Sequence, residues 1–588
     1  MVSVGLYNLT GFGWCLLKQD RRGLGIIQNL KFIIESFRIP DYKMLAGSPD
    51  RLSCLYNCLC KENGMNRVNQ TRRDFLKFLG LGAASVALPG CSKAIARKTT
   101  RRSAKKPNIV LIMADDLGYS DIGCFGGEIK TPNLDELAAG GMRFTQFYNS
   151  AKCSPTRASL LTGQYEHAVG VKNMEHGATF AEILGAAGYR TIISGKWHQR
   201  PLPTTRGFDR YYGLADGCCN YWNPGTRARP GEGEPGRKRP APRRWAIEGK
   251  EIMGYVPEDK NFYTTDAFTD YAIERLQEYK DESRPFLLYL PYTAPHYPLH
   301  AWPKDIAKYR GKYKIGWDKL RRQRYKRQIE MGMLDAKYKL SPRDERVESW
   351  DSLSDSEKDQ ADLKMAVYAA MVDRMDQGIG RVFAKIKALG KWEDTLVLFL
   401  ADNGGCPETP DTTPNIPPGP VEGYRALGPA WANASNAPYR KYKSTDYEGG
   451  ACTPFIASWP GVIKPGTITD QVGHIIDVLP TFIDITGAVY PEQINGRELK
   501  PLAGKSLLPV FQGKQRQGHD VLYWQFGRAK AVRTGKWKLV RYGQADWELY
   551  DLEKDRTELN NLAGQYPQKV KQMTGLWEDW WMKCTGKG

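Results

Sequence analysis

Apolar and polar positions along this 588-residue chain follow two periods. Unbroken apolar runs at 109–114 (Ile-Val-Leu-Ile-Met-Ala) and 396–401 (Leu-Val-Leu-Phe-Leu-Ala) read as strands buried on both faces, as in a parallel sheet. Runs at 190–194, 286–292 and 455–459 read the same way. Between them, a 3.6-residue spacing of apolar positions predicts helices over 134–140, 178–188, 265–280 and 361–389. Strands alternating with helices imply an α/β fold, a mostly parallel sheet with helices on both faces, over residues 106–489. Residues 410–424 hold five prolines and read as a loop. After a turn at Asn495-Gly496 the pattern shortens to strands at 521–525, 529–534, 537–542 and 548–551, with a helix over 566–584. That predicts a smaller subdomain over 490–588, an antiparallel sheet plus a closing helix.

The front of the chain has a different character. Thr71-Arg72-Arg73-Asp74-Phe75-Leu76-Lys77, followed by an apolar segment at 78–88, looks like a twin-arginine export signal. The segment is too short for a stable membrane span. Leu88-Pro89-Gly90-Cys91 resembles a lipoprotein cleavage box, apart from proline before the glycine, so Cys91 is a candidate for lipidation. The expectation is therefore a signal at 65–91 starting from Met65, a basic linker at 92–105, and export by the twin-arginine translocase to the periplasm or cell envelope, with membrane attachment through Cys91. Residues 1–64 read as a mis-called start or a disordered extension. Their Cys54, Cys58 and Cys60 lack a second ligand pair at zinc spacing. That route carries folded proteins, so Cys124, Cys218, Cys219, Cys406 and Cys452 need no disulfides. The net charge of +20 concentrates at 93–106, at 227–244 and at 319–339, the last read as a basic helix. With no nucleic-acid-binding motif beside it, this charge reads as solvated surface and as attraction for anionic substrates, not for nucleic acid.

The chemistry sits where the apolar runs end. One run leads into Asp115-Asp116, the other into Asp402-Asn403. Parallel sheets gather ligands at the carboxyl ends of their strands. Four oxygen-bearing side chains there suit a hard divalent cation, Ca²⁺ before Mg²⁺, and the lack of histidine among them argues against zinc. An Asp-Asp pair alone can equally be a cap or a turn; the second pair makes that reading poor. Cys153-Ser154-Pro155-Thr156-Arg157 forms a C-x-P-x-R pattern, with proline suited to a first helical turn and Arg157 one turn beyond Cys153, on the same side.

Those five residues with Ala158 to Gly163, the segment Gly188 to His198, and Tyr439-Arg440-Lys441-Tyr442-Lys443 followed by Tyr447-Glu448-Gly449-Gly450 resemble, in order and spacing, the type I (formylglycine-dependent) sulfatases. These are arylsulfatase-like members of the alkaline phosphatase superfamily, and the resemblance runs from about Lys106 to the C-terminus. It implies an alkaline-phosphatase-like fold and oxidation of Cys153 to formylglycine (3-oxoalanine) by a formylglycine-generating enzyme. One hydroxyl of the aldehyde hydrate would attack sulfur, giving a covalent sulfo-enzyme intermediate, and the second would expel sulfate. By the same resemblance, Asp115, Asp116, Asp402, Asn403 and the modified Cys153 hold the cation. Asp402 accepts the attacking hydroxyl's proton, and His198 takes that of the second. Arg157 holds the modified side chain, Lys196 and Lys443 bind sulfate oxygens, and His296 protonates the leaving oxygen with Lys443. His167, His176, His300, His474 and His519 read as structural. The substrate would be a sulfated small molecule or a sulfated glycan. Trp431 to Pro438 resembles bacterial arylsulfatase-type members, and Tyr221-Trp222 could stack on a ring or simply pack a loop. Two alternatives stay open: a phosphonate monoester or phosphodiester hydrolase on the same scaffold, and a non-catalytic sulfated-glycan binding protein.

Overall fold

The computed structural model describes residues 106–586, together with three strands near the front, Val4–Asn8, Trp14–Asp20 and Gly23–Ile27, which pair antiparallel as a sheet of their own. The export signal, Cys91 and the basic linker lie outside the described residues. Among the described residues, no helix is long and apolar enough to cross a membrane.

The main sheet has eleven strands. In chain order they are β1 (Asn108–Ala114), β2 (Met142–Tyr148), β3 (Arg190–Ser194), β4 (Arg210–Leu214), β5 (Arg244–Ile247), β6 (Lys250–Met253), β7 (Phe286–Pro291), β8 (Thr395–Ala401), β9 (Cys452–Ser458), β10 (Thr467–Thr469) and β11 (Gly473–His474). Their spatial order is β10-β2-β9-β8-β1-β7-β3-β4-β5-β6, with β11 also on β2. The helices that matter below are α1 (Pro132–Ala139), α2 (Cys153–Thr162), α3 (Phe180–Ala186), α4 (Thr264–Glu278), α5 (Trp317–Glu330), α6 (Asp355–Ala388), α7 (Pro429–Ser435), α8 (Val478–Thr486) and α9 (Pro567–Thr585).

The unbroken apolar run of β1 has a simple cause. Val110 and Ile112 point into one core, with Phe268 of α4 and Met365, Met371 and Ile379 of α6. Ile109, Leu111 and Met113 point into the other, with Leu160 of α2, Ile183 of α3 and Phe482 of α8. A strand covered on both faces has no polar side to show. β1, β7, β8 and β3 run parallel, so their carboxyl ends share one edge. β9 runs antiparallel to β8, Val397 facing Ser458 and Leu400 facing Phe455. Its beginning therefore lies at that same edge, and so does the chain leading into it.

The smaller sheet is an antiparallel meander of β12 (Leu522–Phe526), β13 (Ala529–Thr534), β14 (Trp537–Tyr542) and β15 (Glu548–Asp551), with α9 against β13 through buried Met573, Trp577 and Trp580. It belongs to the same compact unit as the main sheet. Lys538 on β14 is fully buried between Glu448 and Glu558, 2.8 Å from each, and Arg556 also pairs with Glu448 at 3.1 Å.

Two elements differ from the expected ones. The basic helix ends at Glu330, not at 339, where the chain turns through Gly332 at φ 70°, a left-handed conformation that glycine adopts freely. α6 starts at Asp355, six residues early, because Ser354 and Glu357 form a capping box: the Glu357 N–H donates to Ser354 Oγ (3.3 Å) and the Ser354 N–H to Glu357 Oε2 (2.8 Å).

Candidate active site

Six segments deliver chemistry to the carboxyl edge. Asp115 and Asp116 follow β1, Lys196 and His198 follow β3, His296 follows β7, and Asp402 and Asn403 follow β8. Cys153 opens α2 with Arg157 one turn later, and Lys443 arrives just ahead of β9. Every residue of the expected set is buried except His198, which is half-buried.

The side chains are tightly interlocked. Arg157 donates through Nη2 to Asp402 Oδ2 (2.9 Å) and through Nη1 to the Lys196 carbonyl (2.8 Å). Lys196 Nζ donates to Asp115 Oδ2, and Lys443 Nζ to Asp116 Oδ1. Asn403 Nδ2 reaches the same Asp116 oxygen at 2.7 Å, while the Asp116 N–H donates to Asp402 Oδ1 at 3.2 Å. Asp116 and His198 adopt φ 64° and 63°, conformations that cost a non-glycine residue about 1–3 kcal/mol each and persist only where the surroundings over-determine them. Gly217 makes room for the His198 ring: a Cβ there would stand 2.7 Å from Nε2.

The two adjacent aspartates have opposite electrostatic fates. Burial, with Asp402 nearby, pushes Asp115 up to about 8 despite Lys196. Burial works against Asp116 too, but His296 and Lys443 hold it well below the usual carboxylate range. Burial lowers His296 to about 3. Burial, then Lys196, pushes His198 well below the ordinary histidine value. Lys196 and Lys443 lie above the usual lysine value, because Asp115 and Asp116 outweigh the cost of burying their ammonium groups.

A cation fits these residues. Asp115 Oδ1, Asp116 Oδ2 and Asn403 Oδ1 are buried and accept no hydrogen bond from the protein. The His296 Nδ1–H donates to the Tyr297 carbonyl at 2.6 Å, which leaves the Nε2 lone pair 3.5 Å from Asp116 Oδ2. Two acceptors face each other there, and only a proton or a cation between them makes that favourable. Asp115, Asp116 and His296 form one potential metal-ligating group, with ligand atoms within 4.8 Å of one another. His296, expected as a proton donor, thus stands in the donor group as well. Both Asp402 oxygens are already engaged, one by Arg157 and one by the Asp116 N–H.

Several supporting roles escaped sequence reading. Tyr221 Oη donates to the carbonyls of Thr293 (2.6 Å) and His296 (2.8 Å), fixing the His296 turn. Tyr368 of α6 donates to the Asp116 carbonyl at 3.1 Å and to Asp121 Oδ2 at 2.7 Å. Gln199 Nε2 holds the Ser154 carbonyl at 2.8 Å, at the start of α2. No local pattern marks them, because their partners are distant in sequence. Trp222 packs among Tyr263, His300 and Trp302, which favours loop packing over stacking for Tyr221-Trp222. His300, His474 and His519 hydrogen-bond away from the site, to Gly423, Ile476 and Asp477 respectively.

Comparison with known proteins agrees with this arrangement. The sulfatase family model matches residues 107–488, and a second model, N-sulphoglucosamine sulphohydrolase, C-terminal, matches 442–579. An uncharacterized sulfatase of Schizosaccharomyces pombe is 34% identical over 528 residues, 81% of this chain and 93% of its own. The arylsulfatase of Klebsiella aerogenes is 32% identical over 448 residues, 70% of this chain and 93% of its own. Among solved structures, Ps i-CgsB in complex with k-i-k-neocarrahexaose matches with a TM-score of 0.58 at 26% identity, covering 81% of this chain and 93% of that one. The family match spans the whole main sheet and every residue of the site, and the chain belongs to the sulfatases, type I enzymes of the alkaline phosphatase superfamily that hydrolyse sulfate esters.

Proposed function

We propose that the protein cleaves sulfate monoesters of aryl or carbohydrate alcohols, with Cys153 in its formylglycine form as nucleophile and one hard divalent cation, Ca²⁺ before Mg²⁺. The observation that carries this reading is the convergence of three partnerless buried oxygens with the N-terminus of α2 and two buried ammonium groups. Asp115, Asp116 and Asn403 would hold the cation with Asp402 and the modified Cys153, and it would supply charge stabilisation for sulfate oxygens. A hydrated aldehyde at position 153 supplies one hydroxyl for attack on sulfur and a second whose deprotonation releases sulfate.

The chain's own side chains do the remaining work. Arg157, Lys196 and Lys443 pair with Asp402, Asp115 and Asp116 and leave no excess of negative charge, so a divalent cation makes the pocket positive and receptive to a sulfate monoester. Lys196 and Lys443 act as point charges on the sulfate oxygens. The positive end of α2 favours an oxyanion at position 153. His198, neutral because of its surroundings, is free to accept a proton, and Lys443, whose ammonium keeps its proton beside Asp116, would supply one to the leaving oxygen.

The test compares 4-nitrophenyl sulfate with bis(4-nitrophenyl) phosphate on protein matured in its own host, before and after chelation. Sulfate hydrolysis should exceed diester hydrolysis in kcat/KM by about a hundredfold or more, disappear on chelation and return with Ca²⁺. A faster diester would move the protein to the phosphodiester reading. We also assign it to the cell envelope, exported through Arg72-Arg73 and tethered by Cys91. Export of an Arg72→Lys/Arg73→Lys variant should fail, and undiminished export would overturn that assignment.

A further inference from the structure

Three residues of the site have sequence neighbours that meet in one hydrogen-bonded cluster. Lys152 precedes Cys153, Tyr297 follows His296, and Ser444 follows Lys443. Lys152 Nζ donates to Glu408 Oε1 (2.9 Å) and to Ser444 Oγ (3.0 Å). Tyr297 Oη donates to Glu408 Oε2 at 2.6 Å, and Lys238 Nζ, from the arginine-rich loop, reaches Tyr297 Oη at 2.8 Å and Glu408 Oε2 at 3.4 Å. Phe526, at the end of β12, offers its ring to the same corner, 5.5 Å below Lys152 Nζ. Glu408 and Lys238 keep 32% and 34% of their side-chain surface in solvent, so the cluster is reachable.

We propose that Lys152, Lys238, Tyr297 and Glu408, with Phe526 beside them, seat the leaving group and select a sugar over a simple aryl alcohol. The proposal rests on the sulfate-ester reading above and names the substrate class of that same site.

The hydrogen-bond inventory supports it. A carboxylate accepts about four hydrogen bonds, and Glu408 accepts three from the protein. Each ammonium carries three N–H groups, and Lys152 and Lys238 each use two here. One acceptor position and two donors remain, set around an aromatic edge. Adjacent ring hydroxyls, each both donor and acceptor, match that set; an aryl ring matches only Phe526. Lys152, Tyr297 and Ser444 each adjoin a site residue in sequence, and Glu408 lies near enough to Lys443 for that ammonium to help hold its carboxyl below the usual carboxylate range despite burial, which sets the cluster next to the sulfate site. The 227–244 segment thus contributes Lys238 to the cluster, on the other Glu408 oxygen from Lys152.

The test measures kcat/KM for 4-nitrophenyl sulfate and for the 6-sulfates of N-acetylglucosamine and galactose, on the host-matured wild type and on Glu408→Gln and Lys238→Met. The wild type should hydrolyse at least one sugar sulfate. Both variants should lower the sugar-to-aryl ratio of kcat/KM by about tenfold or more, mainly through KM, since one or two hydrogen bonds to the leaving group are lost. Proportional losses on both substrate types, or unchanged ratios, would overturn the seat. A wild type that cleaves the aryl sulfate and none of the sugars would overturn it while leaving the sulfatase reading intact, and one that cleaves neither would overturn both.

Discussion

Asp115 and Asp116 are neighbours in sequence, equally buried, and driven in opposite directions by what surrounds them. Position relative to Lys443, His296 and Asp402 decides this, and none of those distances can be read from an Asp-Asp pair. What could be read was the chemistry of each motif: oxygens at strand ends, a modifiable cysteine ahead of Pro155, lysines on approach segments. The bonds among them join residues from 39 to 327 positions apart, such as Arg157 with Asp402. That pair carries a prediction. Asp402→Ala leaves Arg157 buried without its carboxylate and should lower the unfolding free energy by about 3–5 kcal/mol, measured by urea denaturation, while also removing bound metal by elemental analysis. A second prediction concerns His198. Its replacement by alanine should lower kcat by roughly 10²–10⁴. Because burial and Lys196 hold its pKa below 6.5, the acidic limb that it sets in the wild-type kcat profile should fall below pH 6.5. A limb at or above that value would remove it as the base.

At the scale of elements, apolar runs located the strands because two-sided burial leaves an unmistakable pattern, but such a run has no direction. The antiparallel course of β9, which delivers Lys443 to the site, was therefore invisible. The early start of α6 was legible in principle, since Ser354 and Glu357 spell a capping box, although the apolar period begins later. Ser354→Ala should cost about 1 kcal/mol of stability. α5 illustrates an element whose charge misleads. Its outer face is basic and solvated, yet Arg324 on its inner face is fully buried, 2.6 Å from Asp121 and 2.8 Å from Glu128. Asp121 in turn accepts from Tyr368, which holds the Asp116 carbonyl. Arg324→Ala should destabilise by about 3–5 kcal/mol in a denaturation titration and weaken metal retention, since the support of the Asp116 turn is lost with it.

For the whole molecule, the sequence pattern carried the two-sheet plan, and long-range polar contacts weld the sheets into one unit. Asp446 lies buried between them, near Lys538 and Glu166, with both carboxylate oxygens lacking a hydrogen-bond partner. Burial raises it from 3.8 to about 8. The folded state thus holds a proton that the unfolded chain releases, so this group's contribution is full below pH 3.8 and is lost as pH rises towards 8. Asp446→Asn should therefore raise the melting temperature more at pH 8 than at pH 5; an equal shift at both would show that Asp446 is not protonated in the fold.

The central claim is that Cys153 works as an aldehyde at the head of α2. Peptide mass spectrometry of active protein purified from its own host tests it most directly. The peptide containing residue 153 should be about 18 Da lighter than its cysteine form. Full activity with an unmodified thiol at that position would contradict the account.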